Sequence, residues 1–309
     1  MHIFCTLTSQ YHLTFTLTLI SKISHPVYIL ALDEYSYDFF KKIKKKNIRI
    51  FQSKNLKNKK LDDLKLNRNK IEYIFTLKPI FINFLLTNIL RTNNYLIYLD
   101  SDIFLLQRSK YFVKNIKKYS IFLTKHNFSK PNKDKNIYGI FNAGFISIKC
   151  DNFGKKYSKL WSNQCIKSCK LDLNNDNKIF ADQGYLNFFD KKKSNKVKIL
   201  DSSIHNLAPW NLDNFKINFK KSSLYSNNNK VIFYHFQFYR IFLKYFIIPG
   251  LYIYKVNNTK HINRLYEIYS LEIKKNIIRY KLPYPPIDMN LIKKFIKSMF
   301  KLDLKFIIK

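Results

Sequence analysis

The chain has 309 residues, 46% hydrophobic and 17% aromatic, enough to bury a sizeable core, which excludes a generally disordered protein. Lys and Arg number 56 against 20 Asp and Glu, a formal net charge of +36; either the partner is acidic (nucleic acid, anionic membrane, phosphorylated substrate) or lysine shares the compositional drift that inflates Asn, Ile, Phe and Tyr. Five glycines argue against Gly-rich phosphate loops and repeat architectures.

The opening "MHIFCTLTSQYHLTFTLTLISK" has no basic n-region, and polar residues interrupt it, so it does not read as a signal peptide. Ile3–Leu7 reads as a strand, Leu13–Ile23 as a helix, "HPVYILALD" as a second strand, Phe39 to Lys45 as helix and "NIRIFQ" as a third strand. Short apolar strands alternating with helices indicate a mainly parallel α/β sheet with right-handed crossovers. "KNLKNKKLDDLKLNRNK" is a loop or short helix, and "IEYIFTLKPIFINFLLTNIL" is a long apolar helix that Pro79 is expected to break or restart. Tyr95–Leu99 and Ile121–Thr124 follow as strands, 139–149 as a strand carrying Asn142-Ala143-Gly144, and Phe153–Cys169 as a helix. Ala181–Phe188 opens another helix, Val197–Leu200 and Val231–Tyr234 are late strands, and from Arg240 the pattern turns helical and basic. No apolar run reaches the roughly 18 residues a membrane-crossing helix needs. Cys5, Cys150, Cys165 and Cys169 contain no C-x-x-C pair and read as reduced thiols. A cytoplasmic protein is expected, with a peripheral contact at the inner face of a membrane left open.

The chemistry-bearing stretch is "NNYLIYLDSDIFLLQ" (93–107). A D-x-D tripeptide alone is weak, but here Asp100 and Asp102 follow a buried strand, where open α/β sheets place their ligands. Alternation along an extended segment sends both side chains the same way. Two neighbouring carboxylates repel unless a cation lies between them, and a hard divalent ion, Mn or Mg, suits oxygen ligands. The alternative is a turn whose acids cap a following helix. Asn142 in "FNAGFISI", Asp182 and Gln183 in "FADQGYLNFF", Trp210 and Asn211 in "NLAPWNL" and His235 in "VIFYHFQFYR" each admit a bland structural role when taken singly.

Taken in order, "CTLTSQY", "YLIYLDSDIFLL", "FNAGFISIK", "ADQGYLN", "NLAPWN" and "FYHF" resemble the GT-A fold glycosyltransferases, nearest the glycogenin-type and lipopolysaccharide hexosyltransferases of family 8 and their bacterial relatives. The resemblance covers residues 5–236. It implies a GT-A α/β domain over 1–240 and a helical, basic extension over 241–309, packed on the domain or facing a membrane. It implies transfer of a hexose from a nucleotide-diphosphate sugar, UDP-linked by preference, to a glycan or lipid-linked acceptor, with retention of configuration. Asp100, Asp102 and His235 would hold the divalent ion. Thr6, Thr8 and Tyr11 would line the base slot, with Arg68, Ser101, Asn142, Ala143 and Arg240 also on the donor. Asp182 and Gln183 would border the reacting carbon, and Trp210 and Asn211 would shape the acceptor side. The sequence departs after His235, where Phe238 stands at the position of an expected Gly, which puts the backbone turn there in question.

Two rival readings remain. A sugar-phosphate nucleotidyltransferase needs a Gly-rich basic loop after the first strand, which "TSQYHLTF" lacks. A nucleic-acid-binding or other anion-binding protein accounts for the charge but leaves the acid pair unexplained. In the tail, Leu291, Phe295, Met299, Leu302 and Phe306 recur at helical spacing, with Lys294, Lys297, Lys301 and Lys305 on another side, Asp288 as a cap and Pro286 just outside. That helix either packs on the domain or docks on anionic lipid.

Overall fold

The computed structural model describes residues 1–309 apart from 44, 57, 174–177, 192–194, 221–222, 244–245, 257–258, 285–288, 302, 304 and 307–309. The central sheet begins with β1 (His2–Thr8), β2 (Val27–Ala31) and β3 (Ile48–Gln52), apolar runs linked through α1 (Leu13–Ile20) and α2 (Glu34–Ile43). Every residue of α1 is buried, three threonines included. Thr16 and Thr18 survive there because their hydroxyls donate to the carbonyls of His12 and Thr14, four residues back.

The chain continues through α3 (Leu61–Asn67), α4 (Lys70–Phe84), β4 (Tyr95–Leu99), β5 (Ile103–Leu105), the single turn α5 (Ser109–Phe112), β6 (Ile121–Lys125), β7 (Phe141–Lys149), α6 (Asn152–Lys167), α7 (Asn187–Lys191) and β8 (Val197–Leu200). Sheet order is β3-β2-β1-β4-β7-β6-β8. β3, β2, β1 and β4 run parallel, as do β6 and β8, while β7 lies antiparallel to both its neighbours. One apolar layer packs the sheet against α4 and α6, and a second lies under α1 and α2.

A smaller sheet adjoins it. β5 pairs antiparallel with β13 (Phe233–His235), which pairs parallel with β9 (His205–Leu207). Between these strands, β10 (Ile217–Lys220), β11 (Ser223–Ser226) and β12 (Asn229–Lys230) form an antiparallel meander. The 21-residue α8 (Lys260–Tyr280) lays Leu265, Tyr266, Tyr269, Ile273 and Ile277 into the core of the smaller sheet, beside Phe104, Tyr234 and Phe236.

Four sequence expectations are corrected. Pro79 does not break its helix: α4 runs through it to Phe84 and ends in one wide turn at Leu85–Ile89. The missing N–H costs one bond, and burial of Leu77, Ile80, Phe81 and Ile82 on both sides of Pro79 outweighs it. Ala181–Phe188 is a tight 3₁₀ turn at Gln183–Leu186, and α7 starts only at Asn187. Residues beyond Arg240 open as a hairpin, β14 (Arg240–Phe242) with β15 (Phe246–Ile248), before α8. The tail helix α9 (Met289–Phe300) stops before Phe306, because Lys305–Phe306 forms β16 against β15. Leu291 and Phe295 of α9 pack on that hairpin, with the Phe295 and Phe242 ring centroids 4.1 Å apart. Asp288, Pro286 and Leu302 lie outside the described residues. The four cysteines are free and buried.

Candidate active site

β4 delivers its carboxyl end to the joint between the two sheets. The Asp100 N–H donates to the Gly144 carbonyl (2.8 Å), and the Asp102 carbonyl accepts from the Phe236 N–H (2.9 Å). The Asp-Ser-Asp turn is thus clamped to β7 on one side and to the segment after β13 on the other, with Ser101 at its tip. Opposite Ile103 in the smaller sheet stands His235, whose Nε2 meets Asp102 Oδ1 at 3.0 Å. Ligand atoms of Asp100, Asp102 and His235 all lie within 4.8 Å of one another. Two carboxylate oxygens and an imidazole nitrogen are a donor set that could hold a divalent cation.

Asp102 is held ionised, and a metal here would take the place of the His235 proton. Burial works against charge on Asp102, yet His235 and Arg240 hold its carboxyl at about 2. Burial also opposes charge on His235, but Asp102 outweighs it and raises the imidazole above its ordinary value.

The sequence "FNAGF" explains how the histidine gets so close. A Cβ on Gly144 would come within 2.5 Å of His235 Cε1 and 2.7 Å of Asn142 Oδ1, so only glycine admits the ring. Asn142 is held by three bonds: Nδ2 donates to His126 Nε2 (3.1 Å), and Oδ1 accepts from the Gly144 N–H (3.1 Å) and Asn206 Nδ2 (3.3 Å). His126 Nδ1 donates in turn to the Gly139 carbonyl (2.9 Å), which fixes its tautomer. Asn142 is buried.

On the other side of Asp100 lies a group that the sequence reading missed. Lys78 is 3% exposed inside α4, and its Nζ stands 3.0 Å from Asp182 Oδ2 and 3.5 Å from Asp100 Oδ1. It also donates to the Ala143 carbonyl (3.3 Å), and Tyr98 donates to Asp100 Oδ1 (2.6 Å). Burial disfavours its charge, but Asp100 and Asp182 together hold its pKa above the ordinary lysine value. Burial raises the Asp182 carboxyl despite Lys78, and Asp100 adds to the rise. The available signal was a single lysine within "IFTLKPIF", an unpaired charge where helical periodicity demands core. His126 carried no such signal.

Other expected residues fall in different places. Gln183 follows Asp182, and its Nε2 donates to the Tyr138 carbonyl (2.9 Å). Tyr11 is 45% exposed, with Lys70 Nζ 5.7 Å from its ring centroid, beside a cavity of about 240 Å³ that Leu282, Pro283 and Tyr284 also line. Thr6 and Thr8 are buried, and Thr8 Oγ1 accepts from Thr16, so their hydroxyls face the interior and not an open slot. Arg68 turns away from the acids: its guanidinium donates to the carbonyls of Cys165 (2.7 Å) and Ile166 (2.6 Å) at the end of α6. That is the dipole-favoured place for a cation.

Trp210 is 1% exposed and packs edge-on to His235, centroids 5.1 Å apart, so it braces the imidazole and forms no acceptor wall. Asn211 is fully buried, with Oδ1 accepting from the Ala208 N–H and Nδ2 donating to the carbonyls of His126 and Asn206; it ties a turn. Arg240 is half-buried, donates to the Tyr239 carbonyl (2.7 Å), and its charge is felt at Asp102 and His12. The turn lacking its expected glycine forms nonetheless: Phe238 takes φ 65°, and Gly250 makes room, since a Cβ there would lie 2.7 Å from that of Phe238.

No family model matches the chain. Uncharacterized protein YfnF of Bacillus subtilis (strain 168) is 29% identical over 224 residues, covering 70% of this chain and 73% of that protein. Uncharacterized protein YfnD of the same organism is 26% identical over 266 residues, covering 84% and 83%. Mouse xyloside xylosyltransferase 1 in its apo form superposes with a TM-score of 0.51 at 11% identity, over 77% of this chain and 98% of that one. The galactosyltransferase LgtC, solved in complex with donor and acceptor sugar analogs, also gives 0.51, at 13% identity, over 95% of this chain and 100% of that one. A mainly parallel sheet flanked by helices, an acid pair beyond its fourth strand and these superpositions agree: the chain has the GT-A glycosyltransferase fold.

Proposed function

We propose that the chain is a metal-dependent glycosyltransferase that moves a hexose from a nucleotide-diphosphate sugar, UDP-linked by preference, to a glycan or lipid-linked acceptor. The observation that carries the reading is the convergence of Asp100, Asp102 and His235 within 4.8 Å at the carboxyl end of β4. Mn or Mg held there supplies Lewis-acid stabilisation of the charge that develops on a departing nucleoside diphosphate. The chain's own residues do the rest. Arg240, whose charge reaches Asp102, adds positive potential on the phosphate side. Lys78 holds the Asp182 carboxylate in one place, 3.0 Å from its Nζ, and joins it to Asp100, so the sugar-side acid and the metal-side acid keep a fixed spacing. Asp182 and Gln183 border the donor sugar, and retention of configuration is the outcome that the family 8 resemblance favours.

The finer localisation is peripheral. Among the described residues, no helix is long and apolar enough to cross a membrane. On α9, Met289, Ile296 and Phe300 face outward, opposite Leu291 and Phe295, and Lys293, Lys297 and Lys301 run alongside them. That pairing of apolar and basic residues suits anionic lipid. Less pelleting with anionic vesicles in Phe300→Asp than in the parent chain tests it; equal pelleting removes the membrane from the reading.

Release of nucleoside diphosphate from a panel of nucleotide-sugars, with Mn and with EDTA, tests the main proposal. Turnover with one donor is expected, and its loss in Asp102→Ala with the melting transition retained. Activity indifferent to EDTA would overturn the metal reading; no binding of any nucleoside diphosphate would overturn the whole.

A further inference from the structure

A second cavity, of about 210 Å³, lies directly behind Gln183. Its floor is the contact between Gly139 and Gly184: a Cβ on Gly139 would lie 3.6 Å from both the Gln183 carbonyl oxygen and the Gly184 Cα. Gly139 has φ 116°, open only to glycine, and a Cβ on Gly184 would come within 2.8 Å of the Ile179 side chain, so both glycines are needed to keep this floor. The walls are mainly hydrocarbon, from Ile137, Ile140, Ile179, Phe180 and Phe188, with the polar Asn187 and the exposed Lys178 also lining it. Ile137 is 61% exposed, Ile140 46% and Phe188 36%, an unusual concentration of large apolar side chains in water at one spot.

The cavity is wired to the site. Gln183 Nε2 is bonded to the Tyr138 carbonyl, and the Gly139 carbonyl holds His126, which holds Asn142 beside His235. A ligand in this cavity would touch Gly184, the residue next to Gln183 in the chain. A cavity of about 150 Å³ lined by such side chains accepts a benzene ring, so this one has room for a short run of methylenes. An entirely sugar ligand is a poor match, since few polar groups converge here. A second copy of this chain is also a poor match, because two chains of +36 repel.

We infer that this cavity receives the apolar aglycone of the acceptor, a hydrocarbon chain carried by the sugar that takes the new bond; the assignment to an acceptor rests on the glycosyltransferase reading above. The Lys178 rim then matches an anionic group, such as a phosphate, where chain and sugar join.

Calorimetry with n-hexyl β-D-glucopyranoside and methyl β-D-glucopyranoside as probes tests it, using the full chain and the surface variants Ile137→Asp and Ile140→Asp, with melting curves to verify folding. Each methylene withdrawn from water is worth about fourfold in affinity, so the hexyl probe is expected to bind about tenfold or more tightly than the methyl probe. Both variants should erase that preference, and UDP with Mn should leave hexyl binding unchanged. Equal affinity for the two probes, a preference that survives both substitutions, or displacement of the hexyl probe by UDP overturns the inference. Failure of every nucleoside diphosphate to bind with Mn, with the hexyl preference intact, instead defeats the acceptor assignment and the functional reading, and leaves the hydrocarbon site standing.

Discussion

The two aspartates of the turn have unlike surroundings. Asp100 belongs to the large sheet: Tyr98 and Lys78, from β4 and α4, are its partners, and Lys78 carries it on to Asp182. Asp102 belongs to the small sheet: its partner is His235 on β13. One side is a lysine shared by two carboxylates, with Lys78 and Asp182 buried and Asp100 partly exposed; the other is a carboxylate and an imidazole whose charge answers to pH. A shared turn between two sheets thus joins a fixed electrostatic frame to an adjustable metal-side ligand.

The largest test of this contrast falls on the fixed side. Lys78→Met should destabilise the fold by about 3–5 kcal/mol, because the buried Asp182 is left without its cation beside Asp100. Denaturant melts measure it, and adding Asp182→Asn should recover a large part of the loss. A melt unchanged in the single variant would show that the triad is not a structural frame.

Mild acid should strike the histidine side. Burial lowers His126 and His205 to about 4, against about 6.5 unfolded. Between those values the unfolded chain binds protons that the folded chain refuses, so stability falls as pH drops from about 6.5 to 4, by up to about 3 kcal/mol for His126. His2, His12 and His25 are also lowered and add the same sign. His235 is raised and so adds the opposite sign, a stabilisation gained as pH falls toward about 6.5 and constant well below it. Melting temperatures at pH 7.5, 6 and 4.5 check the direction; a flat profile would mean that these rings are not held neutral.

A more local break is Gly144→Ala, whose Cβ would overlap His235 and Asn142. It should cost about 1–3 kcal/mol and weaken Mn binding while sparing the Lys78 triad, seen as lower metal affinity with a modest shift in the melt. Mn affinity equal to the parent's would mean that His235 does not need this approach. The smallest effect lies far from both aspartates. Lys281 ends α8 at φ 49° with its N–H bonded to the Ile277 and Ile278 carbonyls, so Lys281→Gly should stabilise by about 0.5–1 kcal/mol and leave metal affinity alone.

Much of this architecture is legible in local pattern. Alternating apolar strands and helices give the large sheet, and the position of Asp100 and Asp102 after Tyr95–Leu99 gives the site's edge. The antiparallel β7 is not legible, because strand direction is set by which neighbours a segment meets and not by its own residues. Nor is the hairpin after Arg240, whose short apolar runs carry no helix-versus-strand period. His235 was found through its motif, whereas Lys78 was hidden by a window that averages one charge into an apolar helix. Arg68, Thr6, Thr8, Trp210 and Asn211 carry the right residue types in the right stretches, but their direction is a tertiary fact. Arg68 answers the carbonyls of α6, and Asn211 answers its own turn.

The burial of α8 in the core of the smaller sheet bears on how the protein is made. β13 bears His235, but its far side is covered by Tyr266, Tyr269 and Ile273 of a helix that follows later in the chain. During synthesis the large sheet can assemble early, with Asp100, Asp182 and Lys78 in place, while β13 waits for its cover to emerge from the ribosome. His235 settles last, so on the proposed metal reading a chain truncated before α8 should bind Mn more weakly than the full chain.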